Sequence, residues 1–339
     1  MGKIAGPNDH RAELRPTMSE TIRRSAVIPA ESAGSRLDQV LAQLFPEFSR
    51  SRMQQWVREG AVLVDGRIVR PRDKVFGGER VEVQAVLEDI ITVRPQAIDL
   101  NIVFEDEHIL VLDKPAGLVV HPGAGNAEGT VQNALLHHEP ALAGVPRSGI
   151  VHRLDKETSG LMVVAKTLQA HNSLVAQLQE RSVQREYLAL VAGALTGGGT
   201  VEAPIGRHPR DRLRMAVVEN GREAISHYRI ERRFPAHTLL RVVLETGRTH
   251  QIRVHMAHIG YPLVGDPLYG GRLKLPKGAS EALRDALSGF RRQALHATRL
   301  GLIHPASGEA LHWETPPPAD MQALLDLLEQ ESTEHGARD

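Results

Sequence analysis

Cysteine is absent from all 339 residues, so the chain offers no disulfide, no thiol nucleophile and no thiolate metal site. It also lacks any uninterrupted apolar run of about 18 residues, the least a membrane-spanning helix needs. The start, Met1 to Met18, is polar and has no apolar centre of the kind a secretory signal carries. These absences lead us to expect a cytoplasmic protein. Aromatics are scarce at 4%, which weakens any reading that needs an aromatic platform for sugars. An excess of one charge is missing too: 41 basic and 41 acidic residues cancel, which at first argues against a polyanionic partner.

Distribution matters more than that sum. The last twenty residues hold six acids and a single Arg338, so the rest of the chain is net positive. Basic residues cluster at Arg50, Arg52 and Arg58, at Arg67, Arg70, Arg72 and Lys74, at Arg207, Arg210, Arg212 and Arg214, and at Arg291 and Arg292. A solvated face explains any one cluster; several on separate elements favour a nucleic acid. Hydrophobic content of 41% is ordinary, and the length suits one large domain plus a smaller one.

Residues 1–30 are mostly polar, without a sustained period, and read as a disordered arm. Residues 31–90 read as a compact unit. Leu37, Val40, Leu41 and Leu44 recur at helical spacing until Pro46, and Ser49 is the expected cap of a second helix carrying Met53, Trp56 and Val57. Short alternating strands follow, around the turn Asp65-Gly66. Residues 91–98 read as a linker, 99–330 as the large domain and 331–339 as an acidic tail.

Within the large domain, Gly149 to Gly160 places charged residues between two apolar runs. Arg153 and Asp155 flank Leu154, and residues two apart in extended backbone project from one face. Alone, an Arg-x-Asp is an ion pair worth about 0–1 kcal/mol at a surface. Held between apolar runs at a cleft floor, the carboxylate becomes a functional candidate.

Other segments carry less on their own. Lys114 reads as a generic lysine ahead of a turn set by Pro115 and Gly117, and Gly123 to Asn126 lacks the spacing of a nucleotide loop. Tyr187, one of four tyrosines, sits in a strand pattern, and Pro204 to Met215 is a basic loop. Farther on, Gly247 turns a strand, Thr249 is placed to cap a helix, and Ile252, Met256 and Ile259 form one face of it. His250, His255 and His258 lack the one-face spacing of a metal pair, so no metal is expected.

Taken together, these residues resemble the RluA family of RNA pseudouridine synthases. His152-Arg153-Leu154-Asp155 with Thr158-Ser159-Gly160-Leu161 resembles its central motif, and Asp113-Lys114-Pro115-Ala116-Gly117 its first. Thr246-Gly247-Arg248 through His250-Gln251-Ile252-Arg253 and His255 resembles a later one, with further matches at Gly265 to Gly271 and Leu295-His296-Ala297. Gly34-x-Arg36-Leu37-Asp38 and Ser49-Arg50-Ser51-Arg52 resemble an S4 RNA-binding domain.

The resemblance implies an α+β fold: a large, mostly antiparallel bent sheet with flanking helices and a central cleft, preceded by the small S4-like domain. It implies Asp155 as the catalytic carboxylate, Arg253 as the cation paired with it, and Tyr187 against the uracil ring. Arg153 would take the space vacated by a flipped uridine. Arg36, Arg50, Arg52, Arg207, His208, Arg212, Arg214, Arg248 and His250 would contact RNA, the first three where helix N-termini offer free N–H groups to phosphate. The expected reaction exchanges a C–N for a C–C glycosidic bond, with no cofactor and no metal. The expected partner is 23S ribosomal RNA, with the loop of helix 69 as target, bound by a monomer. Sequence leaves open whether Asp155 attacks the sugar or the base, or removes a sugar proton. Two other readings stand beside this one: a nucleoside or glycoside hydrolase using Asp155 and Glu157, and a non-catalytic rRNA-binding assembly factor.

Overall fold

The computed structural model describes residues 20–46, 48, 50–87, 93–123, 125–271, 273, 275–276 and 278–336. Contacts divide the chain into two units, Met1–Thr92 and Val93–Asp339. The expected cap Ser49 and the first nineteen residues of the expected arm lie outside the described residues.

The small unit contains strand β1 (Glu20–Val27), helices α1 (Leu37–Leu44) and α2 (Arg50–Arg58), then β2 (Val62–Val64), β3 (Arg67–Ile68) and β4 (Arg80–Leu87). Its antiparallel sheet runs in the order β1-β4-β2-β3. β1 corrects the expected arm, because all eight of its residues pair with β4. Its periodicity is hidden: among the side chains described from Ile22 to Val27 only Ile22 is buried, Arg23 and Arg24 face water, and backbone bonds to β4 hold the strand. The apolar stripes of both helices close over the sheet, with Leu37, Leu41, Met53, Trp56, Val62 and Val81 at the centre.

In the large unit, β5 (Ile102–Glu105), β6 (Ile109–Lys114) and α3 (Val131–His138) precede β7 (Ser159–Ala165), α4 (Leu168–Gln179) and β8 (Gln184–Ala192). Next come β9 (Gly199–Glu202), the hairpin β10 (Ile205–Arg207) and β11 (Met215–Val217), β12 (Ile225–Arg233) and β13 (His237–Leu244). The chain then forms α5 (Gln251–His258), α6 (Glu281–Gly289), β14 (Leu295–Ile303), β15 (Ala310–Glu314) and α7 (Ala319–Gly336). The main sheet runs β5-β6-β7-β14-β8-β13-β12-β9, with β15 on β14, and only β7–β14 is parallel. The fold is thus α+β with a large, mostly antiparallel sheet.

The continuous apolar runs of β6 and β7 reflect burial on both faces. Leu110, Leu112, Met162 and Val164 point to a core shared with α3, while Ile109, Val111, Leu161 and Val163 pack against Ala170 and Leu174 of α4. Gly160 is required by the parallel pairing: at φ +116°, a Cβ there would lie 2.3 Å from the Ala297 carbonyl oxygen.

Two expected boundaries differ. Residues 93–98 are tied to the large unit rather than free as a linker, because Asn133 Nδ2 donates to Arg94 O and Gln96 N–H donates to Asn133 O. The expected acidic tail is helical through Gly336; Met321, Leu324, Leu325 and Leu328 anchor α7, and Glu331 accepts from Ser280 N–H at the start of α6. Among the described residues no helix is long and apolar enough to cross a membrane.

Candidate active site

The central stretch starts from a left-handed turn, with φ of 52° at Arg147 and at Ser148 and 79° at Gly149. From there the chain runs beside β7: Ile150 bridges Val164, and His152 Nε2 accepts the Val163 N–H. Burial, reinforced by the Arg185 charge, pushes the His152 pKa down to about 3, so it is neutral and its proton sits on Nδ1. Leu154 is buried beneath the loop, and the Asp155 carbonyl accepts from Thr158 N–H to turn the chain into β7.

Lys114 stands under this loop and is no surface lysine. It is wholly buried, and its Nζ donates to the carbonyls of Pro115, Leu118 and Lys156 at 2.7, 2.9 and 3.0 Å. Burial lowers its pKa to about 8, against the opposing pull of Glu157 and Asp155. It ties the turn after β6 to the loop bearing Asp155.

Arg253 projects from α5 and meets two carboxylates. Its Nη1 donates to Asp155 Oδ2 at 3.0 Å, while Nε and Nη2 donate to the two oxygens of Asp266 at 2.7 and 2.9 Å. The bidentate partner is therefore Asp266, which sequence reasoning had only as part of a family match, and Asp155 receives one bond. Asp266 is fully buried and also accepts from the N–H groups of Leu268 and Tyr269. Burial would lower the Arg253 pKa, but the bonds to Asp266 outweigh it and raise it. The guanidinium is also 5.0 Å from the centre of the Tyr269 ring.

His250 joins the same cluster. Its Nδ1 is 2.8 Å from Tyr269 Oη and its Nε2 is 3.9 Å from Asp155 Oδ2, and burial lowers its pKa despite the facing carboxylate. It occupies the N-cap of α5 at φ 58°, so Thr249 is not the cap. The turn is held instead by Gln251 Oε1, which accepts from Arg248 N–H and the Thr246 hydroxyl. The other two histidines diverge: His255 bonds Ser226 and the Ala203 carbonyl, and His258 is exposed.

Asp155, Arg153, Tyr187, Arg248, His250 and Arg253 all line one cleft of about 880 Å³. That lies within the roughly 300–1,000 Å³ usual for ligand pockets. Seven arginines line it against two acids, Asp155 and Glu245, so the cleft is locally basic in a chain of zero net charge. Arg153 does not pair with Asp155; its Nη1 faces His121 Nε2 at 3.4 Å. Tyr187 is 7% exposed in β8, between Val242 and Ala297, and burial raises its phenol pKa while Arg185 opposes the shift. Glu157 lines a separate depression beside Arg291 and Arg292 and does not line the cleft that holds Asp155, which weighs against a hydrolase pairing of the two carboxylates.

The remaining candidates are dispersed. Arg207, His208, Arg212 and Arg214 belong to the β10–β11 hairpin, where Arg207 donates to the Arg212 carbonyl and Arg214 lies over the Tyr269 ring at 5.2 Å. His208 Nδ1 accepts from the N–H groups of Arg210 and Asp211, which fixes that turn. In the small unit, Arg36 and Arg50 both bond the buried Asp38, and Arg52 lies 5.9 Å over Trp56.

Known proteins carry the same combination of sequence and fold. Residues 108–258 match the family model described as RNA pseudouridylate synthase, and residues 35–81 match the S4 domain. The chain is 61% identical over 309 residues to ribosomal large subunit pseudouridine synthase D of Xanthomonas campestris pv. campestris, covering 91% of this chain and 93% of the relative. The chain belongs to the RNA pseudouridine synthase family. The protein of that name from Pseudomonas aeruginosa is 60% identical to this synthase over 314 residues, 93% of this chain and 98% of the relative. That of Escherichia coli K12 is 54% identical over 319 residues, 94% of this chain and 98% of the relative. Among solved structures, human RNA pseudouridylate synthase domain containing 4 superposes with a TM-score of 0.53 at 27% identity, covering 68% of this synthase and 93% of that chain.

Proposed function

We propose that this synthase isomerises uridines of 23S ribosomal RNA, in the loop of helix 69, with Asp155, Tyr187 and Arg253 as its reacting machinery. The relatives named as large-subunit enzymes support the substrate, and the S4 match supports RNA binding by the small unit. The single observation that carries the chemistry is the Asp155–Arg253–Asp266 chain inside a basic cleft.

The guanidinium is oriented by Asp266, so Asp155 finds its partner already in place in a partly dry site. One oxygen, Oδ2, is held by Arg253; among the described residues Oδ1 accepts no hydrogen bond and is the reacting atom. All three roles left open, attack on the sugar, attack on the base and removal of a sugar proton, need a charged oxygen of this kind. A uridine within folded RNA must leave the stack to reach it, at a cost of a few kcal/mol. Arg153 takes the vacated space, Tyr187 stacks on the uracil, and its phenol helps to remove the C5 proton once the new bond exists. Arg36, Arg50, Arg52, Arg207, His208, Arg212, Arg214, Arg248 and His250 hold the RNA, which makes binding salt-dependent. The enzyme works as a cytoplasmic monomer without cofactor.

The test is Asp155→Asn. The variant binds the helix 69 hairpin and leaves its uridines unmodified when they are mapped by reverse transcription. Normal product formation by it would remove Asp155 from the reaction.

A further inference from the structure

Three guanidinium side chains are buried among the described residues: Arg185, Arg253 and Arg292. Two of them chelate carboxylates, Arg253 with Asp266 and Arg292 with Asp320. Arg185 has no ion pair among the described residues. Its Nη2 donates to the Glu245 carbonyl at a long 3.3 Å, and its buried Nε has no hydrogen-bond partner. Arginine stays charged at any working pH, so a half-satisfied buried guanidinium is a cost to the fold. Arg185 also lines the cleft with Asp155, and it precedes Tyr187 by two positions on β8, so both side chains leave the same face of the strand.

The charge of the reacting cluster shows what is missing. Asp155, Arg253 and Asp266 carry two negative charges and one positive, so the site is net negative before any bond breaks. Cleavage of the C1′–N1 bond sends its electron pair to the base, and uracil becomes an anion with charge spread over N1, O2 and O4. The other cleft arginines, apart from Arg253, are half-buried or exposed and are screened by water. We propose that Arg185 is the cation that stabilises the departing uracil, acting on a base stacked against Tyr187. The base then turns, C5 bonds to C1′, the C5 proton leaves and N1 regains a proton, so atoms and electrons balance. The inference rests on the isomerase reading above and adds a residue that acts on the leaving group.

The test is Arg185→Met, with Arg185→Lys beside it to restore the charge. In single turnover at saturating helix 69 RNA, the methionine variant loses about a hundredfold in rate, the size of effect seen when one preorganised donor to a developing anion is removed. Its affinity for RNA is little changed, and its thermal midpoint does not fall, because an unpaired buried charge has been deleted. Lysine recovers part of the rate. RNA carrying 5-fluorouridine at the target has a better leaving base, so the penalty on its consumption shrinks. An equal penalty on both RNAs, or a lost affinity with normal saturated turnover, overturns the proposal, as does a rate loss that follows a falling midpoint. If the unaltered enzyme forms no pseudouridine in this RNA, the isomerase reading itself fails; a fully active Arg185→Met sinks only the leaving-group role.

Discussion

Each unit contains a carboxylate held by arginine, and the two are held in opposite ways. Asp38, in the small unit, is fully buried and accepts five hydrogen bonds, two each from Arg36 and Arg50 and one from Gln54. Asp155, in the large unit, is 19% exposed and accepts one, from a guanidinium whose other two bonds go to Asp266. A carboxylate with its lone pairs occupied is a fastener; one left under-coordinated beside a preset cation can react. The contrast also bears on the sequence expectation for Arg36 and Arg50, whose guanidinium groups are committed to Asp38 and offer RNA only their remaining edges.

The sharpest way to break this comparison is to exchange the roles of the carboxylates by amide substitution. Asp155→Asn abolishes product formation and leaves the thermal midpoint close to that of the unaltered protein, because little of the fold depends on its single bond. Asp266→Asn does both kinds of damage. It removes the charge that orients Arg253, lowering single-turnover rate by about a hundredfold, and it leaves a buried guanidinium short of a partner, lowering stability by about 3 kcal/mol. Rate and denaturant midpoint measured on the same preparations separate the two. An Asp266→Asn enzyme with full activity would mean that Asp155 alone positions Arg253.

The sequence made Asp155 legible because its surroundings are local: a charged cluster between apolar runs, with Arg153 two positions away. Arg253 and Tyr187 emerged only through resemblance, since each shares the cleft with Asp155 from a distant part of the chain. The anchor Asp266 was missed as a partner for the same reason; nothing near Gly265 or Pro267 indicates that its oxygens face Arg253. Lys114 was misread because a lysine at a strand end normally reaches water, whereas three carbonyls surround this one. The strand β7 was visible as a continuous apolar run and the stripes of α1 and α2 as helical periodicity. β1 was not, having a single buried side chain among those described from Ile22 to Val27.

Tyr187→Phe sharpens the comparison within the cleft by keeping the ring and deleting the phenol. Burial raises the phenol pKa, so the group is protonated at neutral pH and can take the C5 proton only while passing its own proton on, with N1 of the base as the site that needs one. The variant binds RNA normally and consumes the target uridine, but it releases finished pseudouridine more slowly, by about 10²-fold for a lost proton-transfer group. Rapid quench with separate measurement of uridine loss and pseudouridine gain is the readout. Equal rates for both steps, matching the unaltered enzyme, would leave the phenol without a role.

Asp38→Asn gives the smallest effect on chemistry and tests the other side of the contrast. Burial alone would raise the Asp38 pKa, but the bonds from Arg36, Arg50 and Gln54 outweigh it and hold it well below the ordinary carboxylate value of 3.8. A pKa depressed by folding supplies stability above the unfolded value, and that stability is lost as pH falls through the folded one. The unaltered protein therefore loses stability of its small unit steadily as pH drops below about 4, the range in which the unfolded carboxyl gains its proton. Asparagine at this position does not titrate, so this contribution to the acid dependence disappears. The variant starts lower at neutral pH by about 2 kcal/mol, because Arg36 and Arg50 lose their shared anion but are exposed enough for water to solvate them. Turnover of a short hairpin at saturating concentration stays normal, because Asp155 and its partners all belong to the other unit. A loss of turnover in step with the loss of stability would show that the fastener also serves the reaction.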